Sequence, residues 1–232
     1  MYILGIETST RTGSVAVVSE DSVIAQYSLN IEVTHSERLM STVDRVLKDT
    51  GLVIADIDGY AVAIGPGSFT GLRIGLAAVK GLALVTERPV AAVPTLKALA
   101  GNLPYSAYPV CPMLDARKKE VYAATYRFEG ADMAQIMAEA VLSLSLLSER
   151  ISGKTLFTGE ASHLFREDIE KIFGDRALFA PVSSILPSAA TVAGIGLNMI
   201  KSGKKTAPDS LTPMYIRRPE AEVAWEKRTQ LR

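Results

Sequence analysis

Apolar and polar positions along this chain fall into short blocks, and the blocks predict secondary structure. Tyr2–Ile6 is a mostly apolar run, Ser14–Val18 a second and Val23–Leu29 a third, with Ser19–Ser22 as the turn between the last two. Three such runs joined by short turns predict an antiparallel meander. Thr34, His35, Ser36 and Glu37 have the spacing of a capping box, in which hydroxyl and carboxylate each answer the other residue's backbone N–H. Leu39, Val43, Val46 and Leu47 then recur at helical spacing and Gly51 supplies a stop, so a helix is expected over 36–49. Gly59–Ile64 reads as a buried strand, Gly65–Gly71 as a loop, and a long apolar helix follows to about Thr86. Pro89–Val93 is another strand, and Pro94 suits the first turn of a short helix.

The composition shifts at 101–109, where Gly, Asn and two prolines crowd together, and a domain boundary is expected there. Beyond it, Val110–Leu114 and Val121–Phe128 predict a strand pair around the turn Asp115–Lys119. Thr155–Thr158 predicts a strand entering Gly159. Residues 161–173 predict one amphipathic helix, with Leu164, Phe165, Ile169, Ile172 and Phe173 on its apolar side. A final apolar helix is expected over 188–201. Each half runs strands first and then helix–strand–helix, which suggests a duplicated two-domain α/β protein. The expected units are 1–103, a smaller 104–205, and a basic segment 206–232 with the option of packing back on the first unit.

The helix after Gly71 is apolar almost all round, from Leu72 to Val85. Such a helix must be covered on every side, either by other helices of the chain or by a second subunit. Gly71 and Gly75 lie one turn apart and would admit another backbone closely. The candidate interface residues are Leu39, Val43, Leu47, Gly71, Leu72, Gly75, Leu76 and Val79.

Charge narrows the class of partner. The 232 residues carry 25 Lys+Arg against 25 Asp+Glu, without the basic excess of a protein that grips nucleic acid unaided. The last 32 residues nevertheless hold eight basic and four acidic side chains. They read either as a solvated face or as a tail for RNA or an acidic surface. One cysteine, Cys111, excludes a disulfide framework and gives no metal-ligand spacing. The start, MYILGIETST, lacks the basic region of a signal peptide. The longest apolar run is interrupted by Arg73 and Lys80 and reads as too short to cross a bilayer. A cytoplasmic protein with no membrane partner is expected.

Chemical motifs are sparse. Gly65-Pro66-Gly67-Ser68 joins a strand to a helix and serves either as a plain turn or as an anion cradle. It fits neither GxxxxGK[ST] nor GxGxxG. Glu7-Thr8-Ser9-Thr10 before Gly13 is a second turn whose hydroxyls and N–H groups suit a phosphate. His35 reads as a solvated helix-start residue, and His163 has no His or Cys at helical spacing. No acid, base and nucleophile come together.

Three stretches taken together resemble a known family: GIETSTRTGSVAVV, AIGPGSFTGLRIGLAAVKGLAL and MLDARKKEVYAATY. They are similar to the TsaB (YeaZ) family, bacterial partner proteins in threonylcarbamoyladenosine modification of tRNA. The resemblance covers essentially the whole chain. It implies the actin/Hsp70/sugar-kinase-like (ASKHA) fold, two related α/β domains about a cleft. It also implies heterodimerisation with TsaD, the catalytic paralogue, through the helices at 36–49 and 69–86, a homodimer when TsaD is absent, and work alongside the ATPase TsaE.

Where TsaD carries two metal-binding histidines and a later aspartate, Thr95, Leu99 and the Pro187–Ser188 region stand here. The resemblance therefore implies no metal. Where TsaD pairs two glycines against adenosine, Gly159 is followed by Glu160. The remaining nucleotide-site residues are Thr8, Ser9, Gly13 and Gly159, a degenerate set. No cofactor is expected in the isolated chain, with ATP or ADP left to an interface with partners, and tRNA is expected mainly through the complex. The implied role is a non-catalytic scaffold for threonylcarbamoyl transfer. The alternative is an autonomous phosphotransferase of the sugar-kinase type.

Overall fold

The computed structural model describes residues 1–30, 35–130 and 132–217. The first sheet begins with the predicted meander: β1 (Ile3–Glu7), β2 (Gly13–Val18) and β3 (Val23–Leu29). Helix α1 (His35–Thr50) leads to β4 (Gly59–Gly65), α2 (Phe69–Thr86), β5 (Val90–Pro94) and α3 (Thr95–Gly101). Strand order is β3-β2-β1-β4-β5, with β4 and β5 parallel to β1 and the meander antiparallel. Thr34, and with it the predicted capping box, lies outside the described residues.

The second sheet repeats this plan. It comprises β6 (Val110–Asp115), β7 (Glu120–Glu129), β8 (Asp132–Ser143), β9 (Thr155–Thr158) and β10 (Ala177–Phe179). Its order, β8-β7-β6-β9-β10, matches the first strand for strand, including which pairs are parallel. Helices α4 (Leu144–Arg150), α5 (Glu160–Leu164), α6 (Arg166–Phe173) and α7 (Ala189–Lys201) complete it. The α/β duplication anticipated from the sequence outline is therefore present.

Three elements escaped the pattern reading. β8, α4 and the short β10 were not anticipated. In β8 the sequence DMAQIMAEAVLS is rich in helix formers. Pairing with β7 along nearly its whole length overrides that propensity. The single helix expected over 161–173 breaks at Phe165 into α5 and α6. Its assumed apolar side divides accordingly. Ile169 and Phe173 are buried, whereas Leu164 and Ile172 are exposed.

The domain boundaries also differ from the sequence expectation, because the last helix of each half packs on the other half's sheet. Leu96, Leu99 and Ala100 of α3 share a core with Val110, Leu114, Ala124 and Tyr126 of the second sheet. Val192, Ala193 and Leu197 of α7 share one with Ile3, Ala61 and Val93 of the first. The unit 104–205 thus gives up α7, and the unit 1–103 lends α3. The approach of α7 is close: a Cβ on Gly196 would lie 2.3 Å from the Ala61 methyl, and one on Gly5 would lie 2.3 Å from the Ala189 carbonyl oxygen. After α7 the chain stays on the first sheet. Thr206 N–H donates to Val90, Leu211 is buried in the core of α1 and α2, and Met214 N–H donates to Ile64.

Two glycines of α7 separate packing from propensity. Gly196→Ala should lower the unfolding free energy by about 1–3 kcal/mol through overpacking. Gly194→Ala, where an added Cβ meets nothing within 4 Å, should raise it by up to about 1 kcal/mol. Urea denaturation of the two variants should show opposite signs.

Candidate functional site

A cleft of about 990 Å³ lies between the two sheets. One wall is Ser9, Thr10 and Arg11 of the β1–β2 loop, His35 at the start of α1, and Gly67, Ser68 and Phe69 where α2 begins. The other is Leu114–Arg117 at the end of β6, Tyr122 of β7, and Glu160 and Leu164 of α5.

Hydrogen bonds within the first wall engage several of its polar groups. Ser68 N–H donates to the Ser9 carbonyl at 2.6 Å, and Ser68 Oγ accepts from Gly71 N–H to cap α2. Gly67 lets the two loops meet, since a Cβ there would fall 2.1 Å from the Ser9 oxygen. Thr8 is buried behind the wall, its hydroxyl donating to the Gly71 carbonyl at 2.8 Å. Gly71 and Gly75 press directly on Thr8: added Cβ atoms would stand 2.1 Å from its carbonyl oxygen and 2.3 Å from its hydroxyl oxygen. The backbone those glycines admit is therefore this chain's own first loop. Gly13 backs onto the His35 ring, whose Nε2 lies 2.8 Å from the Thr10 carbonyl. His35 is thus a half-buried clamp and not the solvated residue expected.

The degenerate nucleotide set is consequently scattered. Of Thr8, Ser9, Gly13 and Gly159, only Ser9 lines the cleft, and its hydroxyl already donates to Glu7 Oε1 at 2.5 Å. Gly159 has φ +91°, and a Cβ there would lie 2.1 Å from the Met113 carbonyl oxygen, so backbone geometry alone explains it. Glu160 sits on the cleft wall. The surrounding protein raises its pKa, Asp115 raises it further, and Arg117 and Arg11 oppose the rise. Cys111 is buried and its thiol pushed up to about 12 by burial, which removes it as a nucleophile. Among the described residues no three His, Cys, Asp or Glu side chains gather as a metal site.

Glu7 is the unusual group. It is fully buried at the end of β1, with Ser9 N–H and Oγ both on Oε1 and no partner on Oε2 among the described residues. Burial raises its pKa to about 7 against the lowering effect of the Ser9 bonds.

The hairpin between β6 and β7 supplies the second wall's cations. Arg117, Lys118 and Lys119 stand at φ +65°, +55° and +61°, each position costing about 1 kcal/mol for a residue with a side chain. Asp115 Oδ1 accepts from Arg117 N–H at 2.8 Å, and Glu120 N–H donates to the Arg117 carbonyl. Arg217 donates to the Ala116 carbonyl at 2.6 Å and pairs with Glu120. Tyr215, two residues earlier, stacks on Phe69 at 5.2 Å and accepts from Arg73 Nε. Residues 211–217 therefore form a strap from the first domain to the tip of the second. Arg217 is engaged in this strap, so it does not belong to a free basic tail, and Arg218 lies outside the described residues. Sequence reading marked the turn at 115–119 but not its place over a cleft, and it did not single out Arg11, Phe69 or Tyr122.

The candidate interface residues need correction. Leu39, Val43, Leu72, Leu76 and Val79 are buried in this chain's own core, and Leu47 is half-buried against it. They hold α1 and α2 on the first sheet, and all but Leu47 are closed to a partner. α2 is long and apolar enough by composition to cross a membrane, but this buried face makes it a core helix. Its outward face carries Arg73, Ala77, Gly81, Leu84 and Val85, with Met40 exposed on α1.

The two matching sheets about a cleft, with the crossed helices, are the arrangement of the actin/Hsp70/sugar-kinase-like fold. A hexokinase of the ROK group from Thermus thermophilus shares it at a TM-score of 0.53 and 10% identity, over 88% of this chain and all of that one. A tRNA threonylcarbamoyladenosine biosynthesis protein TsaB from Bacillus subtilis is 32% identical over 97% of this chain and 98% of its own length. The chain belongs to the TsaB family. The family model described as TsaD, tRNA N6-adenosine threonylcarbamoyltransferase, matches residues 30–225. YeaZ from Pseudomonas aeruginosa superimposes with a TM-score of 0.77 at 28% identity, over 92% of this chain and 99% of that one.

The buried carboxyl makes a pH-dependent prediction. A glutamate in the unfolded chain releases its proton near 4.5, whereas Glu7 in the fold holds it to about 7. The stability this group contributes is present below 4.5 and lost as pH rises to about 7. Relative to Glu7→Gln, the wild-type unfolding free energy should fall across that range, with a slope approaching about 1.4 kcal/mol per pH unit. Parallel slopes in denaturation at several pH values would refute it.

Proposed function

We propose that this chain is a non-catalytic scaffold subunit in tRNA threonylcarbamoyladenosine formation. In this reading it pairs with a TsaD-type transferase and supports transfer of threonylcarbamoyl from threonylcarbamoyl-adenylate to the adenosine beside the anticodon, in tRNAs reading codons that begin with A. The observation that carries the reading is the outward face of α2. Ala77, Gly81, Leu84 and Val85 form an exposed, mostly small and apolar strip beside Met40, and such strips mark association surfaces. It would take TsaD in the complex and a second copy of the chain when TsaD is absent. Work alongside TsaE, a cytoplasmic setting, and tRNA reached mainly through the partner complete the proposal.

The cleft supports the non-catalytic part. The loop hydroxyls that would meet a phosphate are turned inward by Gly71 and Glu7, and Glu160 places a carboxylate where an anionic nucleotide would lie. We therefore assign the isolated chain no cofactor, and leave ATP or ADP to an interface with partners. The phosphotransferase alternative predicts Mg-ATP binding and turnover by the lone chain, which calorimetry tests directly.

Gly81 is exposed, and a Cβ there meets nothing within 4 Å. Gly81→Arg should leave the lone chain as stable or up to about 1 kcal/mol more stable, since it removes a helix glycine. It should abolish assembly with TsaD in size-exclusion chromatography. Leu76→Glu, by contrast, buries a charge in the chain's own core and should cost several kcal/mol of folding stability. A Gly81→Arg chain that still assembles would sink the interface. Reconstituted tRNA modification should fail when the chain is omitted, and the chain alone should not support it.

A further inference from the structure

The β6–β7 hairpin does more than turn the chain. A turn that only reversed direction would be served by glycine or asparagine at its left-handed positions, because these adopt positive φ at little cost. Here three long cations occupy consecutive left-handed positions: Arg117, Lys118 and Lys119, all exposed. Strain of this kind persists where the surroundings impose it, and it concentrates at functional points. The surroundings do impose it: Asp115 holds the Arg117 N–H, and Arg217 braces both the Ala116 carbonyl and Glu120. The brace leads back through Tyr215 to Phe69, so the hairpin is fixed relative to both domains.

The charge arrangement selects the ligand class. Successive side chains on a helical turn diverge by about 100°, so the three cations fan out and cannot close on one small anion. Glu120 is paired with Arg217, and Asp115 spends one oxygen on the backbone and sits 3.8 Å from Arg117. Arg11 adds a fourth cation from the facing wall, and Glu160 on the same cleft offsets part of the charge of Arg117 and Arg11, so Lys118 and Lys119 lead the fan. A braced fan of exposed cations fits a row of phosphates.

We propose that the Arg117–Lys119 hairpin is a docking point for the sugar–phosphate backbone of a structured RNA, read by charge and not by base. The inference rests on the role in tRNA modification proposed above. It places an RNA contact on the rim of the cleft.

The test replaces the hairpin with residues that keep its backbone: Arg117→Asn, Lys118→Asn and Lys119→Gly together. An unmodified tRNA transcript serves as probe, and its binding to the complex of this chain with TsaD is followed across a salt series. The variant should weaken binding at least tenfold at low salt and reduce the slope of log K against log salt by about 2, one phosphate contact contributing about 0.7–0.9. Its thermal midpoint should hold or rise, since the left-handed positions are relieved, which separates a binding defect from a loss of fold. Unchanged tRNA affinity and slope with intact assembly would overturn the proposal. Unchanged affinity by the variant chain alone, where wild type binds, would overturn it too. Lost assembly with retained tRNA binding would assign the hairpin to an acidic protein surface instead. Failure of wild-type assembly with TsaD is a separate result and would strike the scaffold reading. The lone-chain salt series still decides the hairpin in that case: no slope difference from the variant, or no wild-type binding even at low salt, overturns it.

Discussion

The exchange of α3 and α7 is the constraint on which the rest of the molecule depends. Each sheet has two faces to cover, and on the first sheet α1 and α2 cover only one. α7 takes the opposite face, contributed by the other half of the chain, while α3 packs in return on the second sheet. Asn102 and Thr191 then hydrogen-bond where the crossing helices meet. Two domains that share cores in this way cannot separate without exposing both, so the cleft between them is held by the crossed helices.

Local ties then shape the chemistry of the cleft. The β1–β2 loop and the start of α2 are tied together through Ser68, Gly67 and Thr8, with Glu7 as a buried anchor. The hydroxyls of Thr8, Ser9 and Ser68 are already engaged within the chain, and satisfied groups gain little from a ligand. What the cleft presents outward is its rim: Arg11 on one wall, and Arg117 with its neighbours on a braced hairpin on the other. The strap at 211–217 joins these features, with Leu211 in the core and Arg217 at the hairpin.

Much of the fold was legible because its elements are local. The meander, α1, α2, β4, β9 and α7 follow from apolar runs, helical spacing and glycine stops. β8 was not legible, since its Ala-, Met- and Glu-rich sequence favours a helix until β7 offers a full ladder of partners. The break at Phe165 was hidden for a related reason, as the apolar spacing runs on through it. Leu164 faces the cleft while Ile169 faces the core.

Of the site, the sequence by itself determined which segments matter: the two glycine-bearing loops, the long apolar helix and the basic turn. Family and fold followed from the same motifs. Only the tertiary structure decided which way each side chain faces. A helix apolar on all sides carries no mark of its inward face, so Leu72, Leu76 and Val79 read as equally fit for a partner until the sheet claimed them. Gly71, Gly75 and Gly159 read as room for a ligand or a subunit until Thr8 and Met113 filled it. Orientation and occupancy are set by contacts between residues far apart in the chain, and a linear pattern holds no record of them.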